Sequence, residues 1–470
     1  MNLLLIALPV LVGIIYVSSL NWRRAVVAAL VIAVLEGALR KWVLPQASQL
    51  IYFLKDFVLL GAYISYFTAP KATGHYKIRN STVLFLIRLM FAWCVFQAFN
   101  PSLGSPIIGF FGLKNYFFYM PLMWMLPSMF STEEDLYRFV RSYMVLLIPV
   151  ALLAIAQFFS PPDSPLNVYA WGEESLGIAV GGDLKSGRVT GTFSYIVGYT
   201  VYLGACLCLL LPLLSLSQPP LWRWLTIGEL LLIAATSFMT GARGFIITAV
   251  FLIGGFIAFQ GSSGFSALYR TVKKLVLPGL IAFVVVAFGF QSAVNSLWLR
   301  FTQNQDLSQR ITGGSLEAFT NFQFKGLDGF GVGATFQANP IIRSLLGLPP
   351  GEEIPVFFEG EMGRIALEVG PIGFFLWYCI KLFLLFLLFR TFWTLKRPFL
   401  KQLALSAFLL QVVNFTGQLV NNHTANLYHW FFFGFIFLLP QLEQNATWQA
   451  SQRPFLFYAQ PHPLSRSPHQ

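Results

Sequence analysis

Three arginines stand in polar connections between long apolar runs of the sequence. Arg243 lies in the short turn at residues 240–244, and Arg300 and Arg310 lie at the start of a long hydrophilic stretch. A guanidinium group binds phosphate oxygens through paired hydrogen bonds, each of which contributes about 1.5–3 kcal/mol. If the three arginines share one side of the protein, they are suited to bind a pyrophosphate group. For Arg243, the alternatives are a contact with a lipid headgroup or a helix cap.

Two glutamates, Glu359 and Glu361, close the same hydrophilic stretch directly before an apolar run. A carboxylate at such a boundary can accept the proton of a hydroxyl group during group transfer. It can equally cap a helix start, because the N-terminal end of a helix dipole stabilises an anionic side chain. The sequence leaves both roles open for each glutamate.

A glycine repeat at residues 329, 331 and 333 lies between these arginines and glutamates. Glycine adopts positive φ without a steric cost, so this spacing can turn successive amide N–H groups toward an anion. The same spacing can simply allow a tight loop. Taken alone, the pattern does not distinguish the two.

Charged residues also interrupt two apolar runs near the N-terminus. Glu36 falls in the second run, and Lys55 and Asp56 fall in the third, where a charge costs about 2.5–3.5 kcal/mol on insertion. Because Lys55 and Asp56 point to different faces of one helix, the favoured interpretation is a structural ion pair between Glu36 and Lys55. The alternative is a polar cavity open to the outside, which His423 in the turn at residues 421–424 could also reach.

The elements that must position these residues are membrane-spanning helices. Of 470 residues, 56% are hydrophobic and 11% are charged, whereas soluble domains carry about 25% charged residues. Apolar runs long enough to cross a bilayer predict about 12–13 spans in one all-α transmembrane bundle of residues 1–442. The predicted spans are residues 3–20, 25–43, 50–68, 80–99, 115–130, 138–159, 193–215, 222–239, 243–260, 275–297, 365–390, 400–420 and 425–442.

The net charge of +12 indicates contact with lipid headgroups rather than with nucleic acid. Lys and Arg concentrate in every second connection between the predicted spans, and these connections all lie on one side of the membrane. This bias places the N-terminus and the loops at residues 160–192 and 298–364 outside the cytoplasmic membrane. The tail at residues 443–470 is then cytoplasmic, and its Pro, Gln and Ser content predicts disorder. The four cysteines lie in apolar runs, so we expect neither a disulfide nor a metal site, and no cofactor.

Four segments resemble the O-antigen ligase and polysaccharide polymerase family of bacterial envelope enzymes. They are Thr-Gly-Ala-Arg-Gly at 240–244, Arg310 before an amphipathic stretch, Gly-Phe-Gly-Val-Gly at 329–333 and Glu-Val-Gly-Pro-Ile-Gly at 368–373. The resemblance implies a GT-C-like helical fold with short helices in the long loop. It also implies metal-independent, inverting transfer of a glycan from undecaprenyl pyrophosphate, on the outer face, to a glycan or glycolipid acceptor.

The resemblance further implies that Arg243 and Arg310 hold the pyrophosphate, and the arginine pattern adds Arg300. In many family members a histidine of the outer loop activates the acceptor, but residues 298–364 contain no histidine. Glu359 or Glu361 is therefore the candidate base, and His423 ranks after them. Otherwise the chain is a relative that binds glycolipid without turnover.

A membrane transporter for inorganic carbon or another small anion is the alternative from a different class. It would use Glu36, Lys55 and Asp56 in a relay through the membrane and would contain inverted repeats. No clear repeat relates the two halves of the sequence.

Overall fold

The computed structural model describes residues 2–68, 80–170, 179–180, 183–216, 218–261, 314–356, 358 and 360–457, together with single positions between 269 and 302. These residues are almost entirely helical, which confirms the predicted helical bundle. The sheet in this part of the chain is one short hairpin, in which β1 (Ala179–Val180) pairs antiparallel with β2 (Asp183–Gly187).

Short 3-10 and π-helical segments link many of the α-helices up to residue 261. These segments are Leu39–Val43, Pro45–Ala47, Pro101–Leu103 and Pro165–Asn167. The α-helices are α1 (Asn2–Leu20), α2 (Trp22–Ala38), α3 (Ser48–Tyr52), α4 (Leu54–Thr68), α5 (Ser81–Ala98), α6 (Pro106–Phe117), α7 (Pro121–Met129), α8 (Glu133–Val145), α9 (Leu147–Phe159), α10 (Ile196–Ser215), α11 (Pro220–Met239) and α12 (Arg243–Gly261).

Beyond residue 313, the chain first forms the short helices of the long loop and then the last four α-helices of the bundle. The elements are α13 (Gly314–Asn321), the 3-10 helix Phe322–Phe324, α14 (Asn339–Leu346), α15 (Glu361–Thr394), α16 (Pro398–Val413), α17 (His423–Phe433) and α18 (Phe435–Phe457). α15 is not one straight helix, because Gly370 has a φ of 63° and a ψ of −175°.

Among the residues that the structure describes, seven helical segments are long and apolar enough to cross a membrane, so the chain is a multi-pass membrane protein. They are Pro45–Thr68, Ser81–Ala98, Glu133–Phe159, Ile196–Ser215, Pro220–Met239, Arg243–Gln260 and Glu361–Thr394. Two shorter apolar helices, Leu8–Leu20 and Pro398–Val413, accompany them in the described residues. The larger number of spans predicted from hydropathy, about 12–13, stays a prediction.

Proline and glycine divide two of the predicted spans. The span at residues 115–130 is interrupted between α6 and α7, because Pro121 lacks the backbone N–H that would continue the first helix. The span at residues 425–442 contains the junction of α17 and α18 at Gly434. Hydropathy alone does not reveal either break, because the residues on both sides of it are apolar.

The tail predicted to be disordered from residue 443 instead begins as helix. α18 continues to Phe457, and Glu443 accepts hydrogen bonds of 2.8 Å from the backbone N–H groups of Lys396 and Arg397. This contact anchors α18 to the connection between α15 and α16, a long-range interaction that composition does not reveal. Residues 458–470 lie outside the described part of the chain.

The helices present two ends, which we call the loop end and the opposite end. At the loop end, residues 325–352 lie against the connection between α5 and α6, where Asn100 donates a 3.0 Å hydrogen bond to the Gly329 carbonyl. At the opposite end, Arg397 pairs with Glu133 at the start of α8. α10 is the most buried of the candidate spans and packs against α11, α12, α16 and α17.

Candidate functional site

The glycine repeat forms a tight loop against α5, α6 and their connection. Residues 329, 331 and 333 have φ values of 69°, 96° and 87°. A Cβ atom on Gly331 would lie 2.5 Å from Leu103 Cγ, and one on Gly333 would lie 2.8 Å from Gly112 Cα. Both the positive φ and the close approach therefore require glycine.

The anion that this loop faces is a carboxylate of the protein itself. Thr335 donates to Glu368 Oε1 from its backbone N–H at 3.1 Å and from its hydroxyl at 2.7 Å. The backbone N–H of Gly333 also faces Glu368, and Tyr116 donates its hydroxyl to Oε2 at 2.9 Å. The loop is therefore tight, and of the amides at residues 329–333 that of Gly333 faces the buried Glu368 side chain.

The break in α15 lies directly beside this loop. Because Pro371 has no N–H to donate and Gly370 leaves helical geometry, the Leu367 carbonyl accepts a 2.7 Å hydrogen bond from the backbone N–H of Phe330 instead. The segments at residues 329–333 and 368–373 therefore contact each other and fasten the long loop to the bundle.

Replacing Gly370 with alanine is expected to destabilise the protein by at least about 2 kcal/mol, because positive φ is unfavourable for alanine and steric overlap adds to that cost. The new Cβ atom would overlap the Leu327 carbonyl. Gly326→Ala is the matched control, since Gly326 has a φ of 65° but open space around it. Thermal unfolding in one detergent measures both variants. Equal shifts in Tm would show that the contact between the segments contributes nothing.

Two buried ion pairs connect α4 to its neighbours. Lys55 Nζ donates to Glu36 Oε2 at 2.5 Å, and Lys55 is fully buried. On another face of α4, Asp56 pairs with Lys114 of α6 at 2.6 Å and accepts a hydrogen bond from the Tyr119 hydroxyl. The predicted Glu36–Lys55 pair is therefore present, and Asp56 has a cation of its own.

His423 lies in this cluster rather than in a solvated turn. Its Nε2 lies 3.1 Å from Asn115 Oδ1, while Lys114 Nζ and Asp56 Oδ2 lie 3.2 Å and 3.9 Å from its Nδ1. The Tyr52 ring stacks on the imidazole at 4.7 Å. Burial lowers the pKa of His423 well below its usual value, and the nearby Lys114 lowers it further, so the ring is neutral at pH 7.

Helix α6 joins these ion pairs to Glu368. Asn115 Nδ2 lies 3.5 Å from Asn421 Oδ1, and Asn421 Nδ2 lies 3.4 Å from the Thr335 hydroxyl. We call the connected set the polar network. It comprises Glu36, Lys55, Asp56, Lys114, Asn115, Tyr116, Tyr119, Thr335, Glu368, Asn421 and His423. Lys114 is partly exposed: its side chain is 18% exposed against 8% for Asp56.

Thr335→Val is expected to loosen the long loop without changing a charge. Valine keeps the shape of threonine but removes the hydroxyl that donates to Glu368, at a cost of about 1–3 kcal/mol. Faster hydrogen exchange of peptides from residues 325–338 would report the loosening. Thr320→Val is the control, because the exposed Thr320 hydroxyl bonds only within its own helix region. Unchanged exchange in Thr335→Val would contradict the fastening role.

The π-helical segment Leu39–Val43, which follows α2 and contains Arg40, adjoins the polar network. Arg40 donates a 2.8 Å hydrogen bond to the Ser194 hydroxyl, which holds the connection at residues 188–195 against α2. The Arg40 guanidinium also lies 5.0 Å above the Tyr52 ring, the same ring that stacks on His423. The connection before α10 is thus part of the loop end.

Arg243 begins α12 and is half-buried beside the same connection. Arg188 Nε donates a 2.9 Å hydrogen bond to the Thr240 carbonyl, in the turn that precedes Arg243. Two arginines from distant parts of the sequence therefore meet at one turn. Sequence reasoning missed Arg188, since it lies in a polar segment with no spacing that sets it apart.

Glu361 starts α15 but faces the interior. It is 2% exposed and accepts a 2.7 Å hydrogen bond from the backbone N–H of Val420, which joins α15 to the connection between α16 and α17. This is a structural contact with another connection rather than a cap of the N-terminus of α15. Glu359, Arg300 and Arg310 lie outside the described residues, so their predicted roles stay predictions.

Sequence reasoning also missed two cations that pair with buried carboxylates. Lys114 of α6 is partly exposed and pairs with Asp56. Arg141 of α8 pairs with the buried Glu229 of α11, toward the opposite end of the bundle. Both residues could have been found by the criterion that identified Lys55, which is a charged residue within an apolar run.

The chemistry of the loop end is that of cations, carboxylates and a neutral histidine. In the part of the chain that the structure describes, no three His, Cys, Asp or Glu side chains are grouped to hold a metal ion. No protein-family model and no curated protein matches the chain. The arrangement offers a cation, Lys114, for an anionic ligand and an imidazole, His423, for proton transfer.

Proposed function

We propose that the chain transfers or polymerises saccharide units from an undecaprenyl-pyrophosphate-linked donor on the outer face of the cytoplasmic membrane. The proposal includes a GT-C-like helical fold and a glycan or glycolipid acceptor. It also includes an orientation with the N-terminus and the loop end outside and the C-terminus in the cytoplasm. Its support is the family-like segments together with the position of the polar network.

That position is the observation on which the proposal depends. Glu36 lies near the end of α2, and Lys55 and Asp56 lie in the first turn of α4, on the side where the long loop packs. A lipid-linked saccharide carries its pyrophosphate at headgroup level, so an enzyme for it needs its polar site near one end of the bundle. A transporter would instead centre its polar site near the membrane midplane.

Arg243, Arg300 and Arg310 hold the donor pyrophosphate in this proposal, and Lys114 adds a cation from the polar network. The acceptor oxygen attacks the anomeric carbon, and the bond from that carbon to the phosphate oxygen breaks with inversion. Negative charge then grows on the leaving pyrophosphate. Cations held in place before the reaction stabilise this charge more than they stabilise the bound donor.

His423 takes the acceptor proton in this proposal, in place of Glu361. If Nε2–H donates to Asn115, the lone pair lies on Nδ1, where Lys114 Nζ at 3.2 Å must move toward the donor before the acceptor hydroxyl approaches. Asp56, 3.9 Å from Nδ1, then stabilises the imidazolium that forms. An anionic donor that draws Lys114 toward itself also weakens one cause of the low pKa of His423. Glu359, outside the described residues, remains the alternative base.

Arg243→Ala is expected to shorten or abolish the surface polymer of cells that depend on this chain, because loss of one oxyanion-stabilising group lowers turnover about 10²–10³-fold. Gel profiles of the extracted polysaccharide measure chain length. Arg223→Ala is the matched control, since Arg223 is an exposed arginine near the start of α11 at the opposite end. A wild-type profile from Arg243→Ala, at normal protein amount, would overturn the assigned role.

The two other functions give different results. A transporter would carry its anion into proteoliposomes without consuming lipid-linked saccharide. A glycolipid-binding relative would bind the donor without forming a product. Neither Arg243→Ala nor Arg223→Ala would then change the amount of polymer. These outcomes separate the three functions in one set of preparations.

A further inference from the structure

An open groove of about 500 Å³ lies at the opposite end of the bundle, away from the polar network. The start of α5, the last turns of α15 and the first turns of α18 form its walls. No residue of the polar network lines it. Its lining includes Ser81, Leu387, Arg390, Thr394, Ile436 and Phe437.

The groove combines an apolar floor with one cation. Leu387, Ile436 and Phe437 are buried, with exposures of 7–9%. Arg390 is exposed at the rim, and among the described residues no carboxylate pairs with it. Ser81 and Thr394 add exposed hydroxyl groups to the same rim. A ligand that fits must therefore be anionic at one end and apolar at the other.

We propose that this groove binds an anionic glycerophospholipid, with the phosphate on Arg390 and an acyl chain along Leu387, Ile436 and Phe437. Basic pockets between membrane-spanning helices recognise lipid headgroups in this way, because a cation at headgroup level meets the phosphate while the acyl chain stays in hydrocarbon. Charge complementarity selects an anionic lipid over a zwitterionic one. The site does not depend on the proposed transferase function.

The bilayer is the source of this ligand, and a free phosphate ion is not. A phosphate ion would use Arg390 and the rim hydroxyls but would leave the apolar floor exposed. A phospholipid covers both parts of the groove. Because α15 and α5 are both candidate spans, a lipid can enter sideways from the surrounding leaflet.

Photocrosslinking of the full chain in nanodiscs tests the proposal. Two probes are compared, a diazirine-bearing phosphatidylglycerol and the matching phosphatidylcholine, and the labelled peptides are identified by mass spectrometry. We expect the phosphatidylglycerol probe to label residues 387–394 and 436–440 about tenfold more, the factor that about 1.4 kcal/mol of preference produces. Arg390→Gln should remove this preference, and Arg223→Gln, at another exposed arginine of the same end, should keep it.

Thr394→Glu provides a second variant that retains Arg390 and places a negative charge at the exposed rim. It should also lower labelling by phosphatidylglycerol. Equal labelling by the two probes, or full preference in both rim variants, would overturn the proposal. Displacement of the probe by inorganic phosphate at the concentration of the lipid would likewise overturn it, because the groove would then bind a phosphate ion.

Discussion

Replacing His423 with glutamine is expected to lower the rate of saccharide transfer about 10²–10⁴-fold, the usual contribution of a positioned general base. Glutamine can keep the hydrogen bond to Asn115 but cannot take up the acceptor proton. The donor should still bind, because Lys114 and Arg243 are unchanged. Single-turnover measurements with purified protein, alongside a donor-binding assay, separate the loss of rate from a loss of affinity.

His429→Gln is the matched control for this prediction. His429 lies in the same helix as His423 and is also buried, but its ring packs on Trp430 and Phe433, which are outside the polar network. The control should fold and turn over at nearly the wild-type rate. If His423→Gln kept the wild-type rate, the base would be another residue, and Glu359 would be tested next.

The largest effect on stability is expected from Lys55→Met, which leaves Glu36 buried without its cation. Removing one partner of a buried pair costs about 3–5 kcal/mol, since the remaining charge has lost both water and partner. Thermal unfolding in a single detergent should show a clear fall in Tm. The effect should be independent of lipid-linked substrate.

The double variant with Glu36→Leu and Lys55→Met should recover most of the lost stability, because no buried charge is left unpaired. Arg138→Met is a further control, since Arg138 pairs with Glu134 on the surface, where an ion pair contributes about 0–1 kcal/mol. A Lys55→Met protein as stable as the wild type would show that Glu36 has another partner.

The class of fold and the Glu36–Lys55 ion pair could both be predicted from the amino-acid sequence. Both follow from the cost of placing charge in hydrocarbon, which is large enough to dominate other effects. The partner of Asp56 was not predictable in the same way. Lys114 lies far along the chain, and only the packing of α6 against α4 brings the two side chains together.

The glycine repeat shows a second limit of sequence reasoning. Its spacing left open whether its amides face an anion or only form a tight loop, and it does not specify an anion. Glu368 follows the loop after another helix and the start of α15, so its approach depends on the break at Gly370. The burial of His423 was not predictable for the same reason, since its neighbours come from α3, α4 and α6.

The most direct test of the proposed function is turnover by the purified full chain in nanodiscs containing an undecaprenyl-pyrophosphate oligosaccharide and a glycan acceptor. We predict release of undecaprenyl pyrophosphate together with a longer glycan, and loss of both products in Arg243→Ala and His423→Gln. His429→Gln and Arg223→Ala should retain both. No product from folded wild-type protein with a set of native donors and acceptors, or equal product from all four variants, would contradict a transferase site at the loop end.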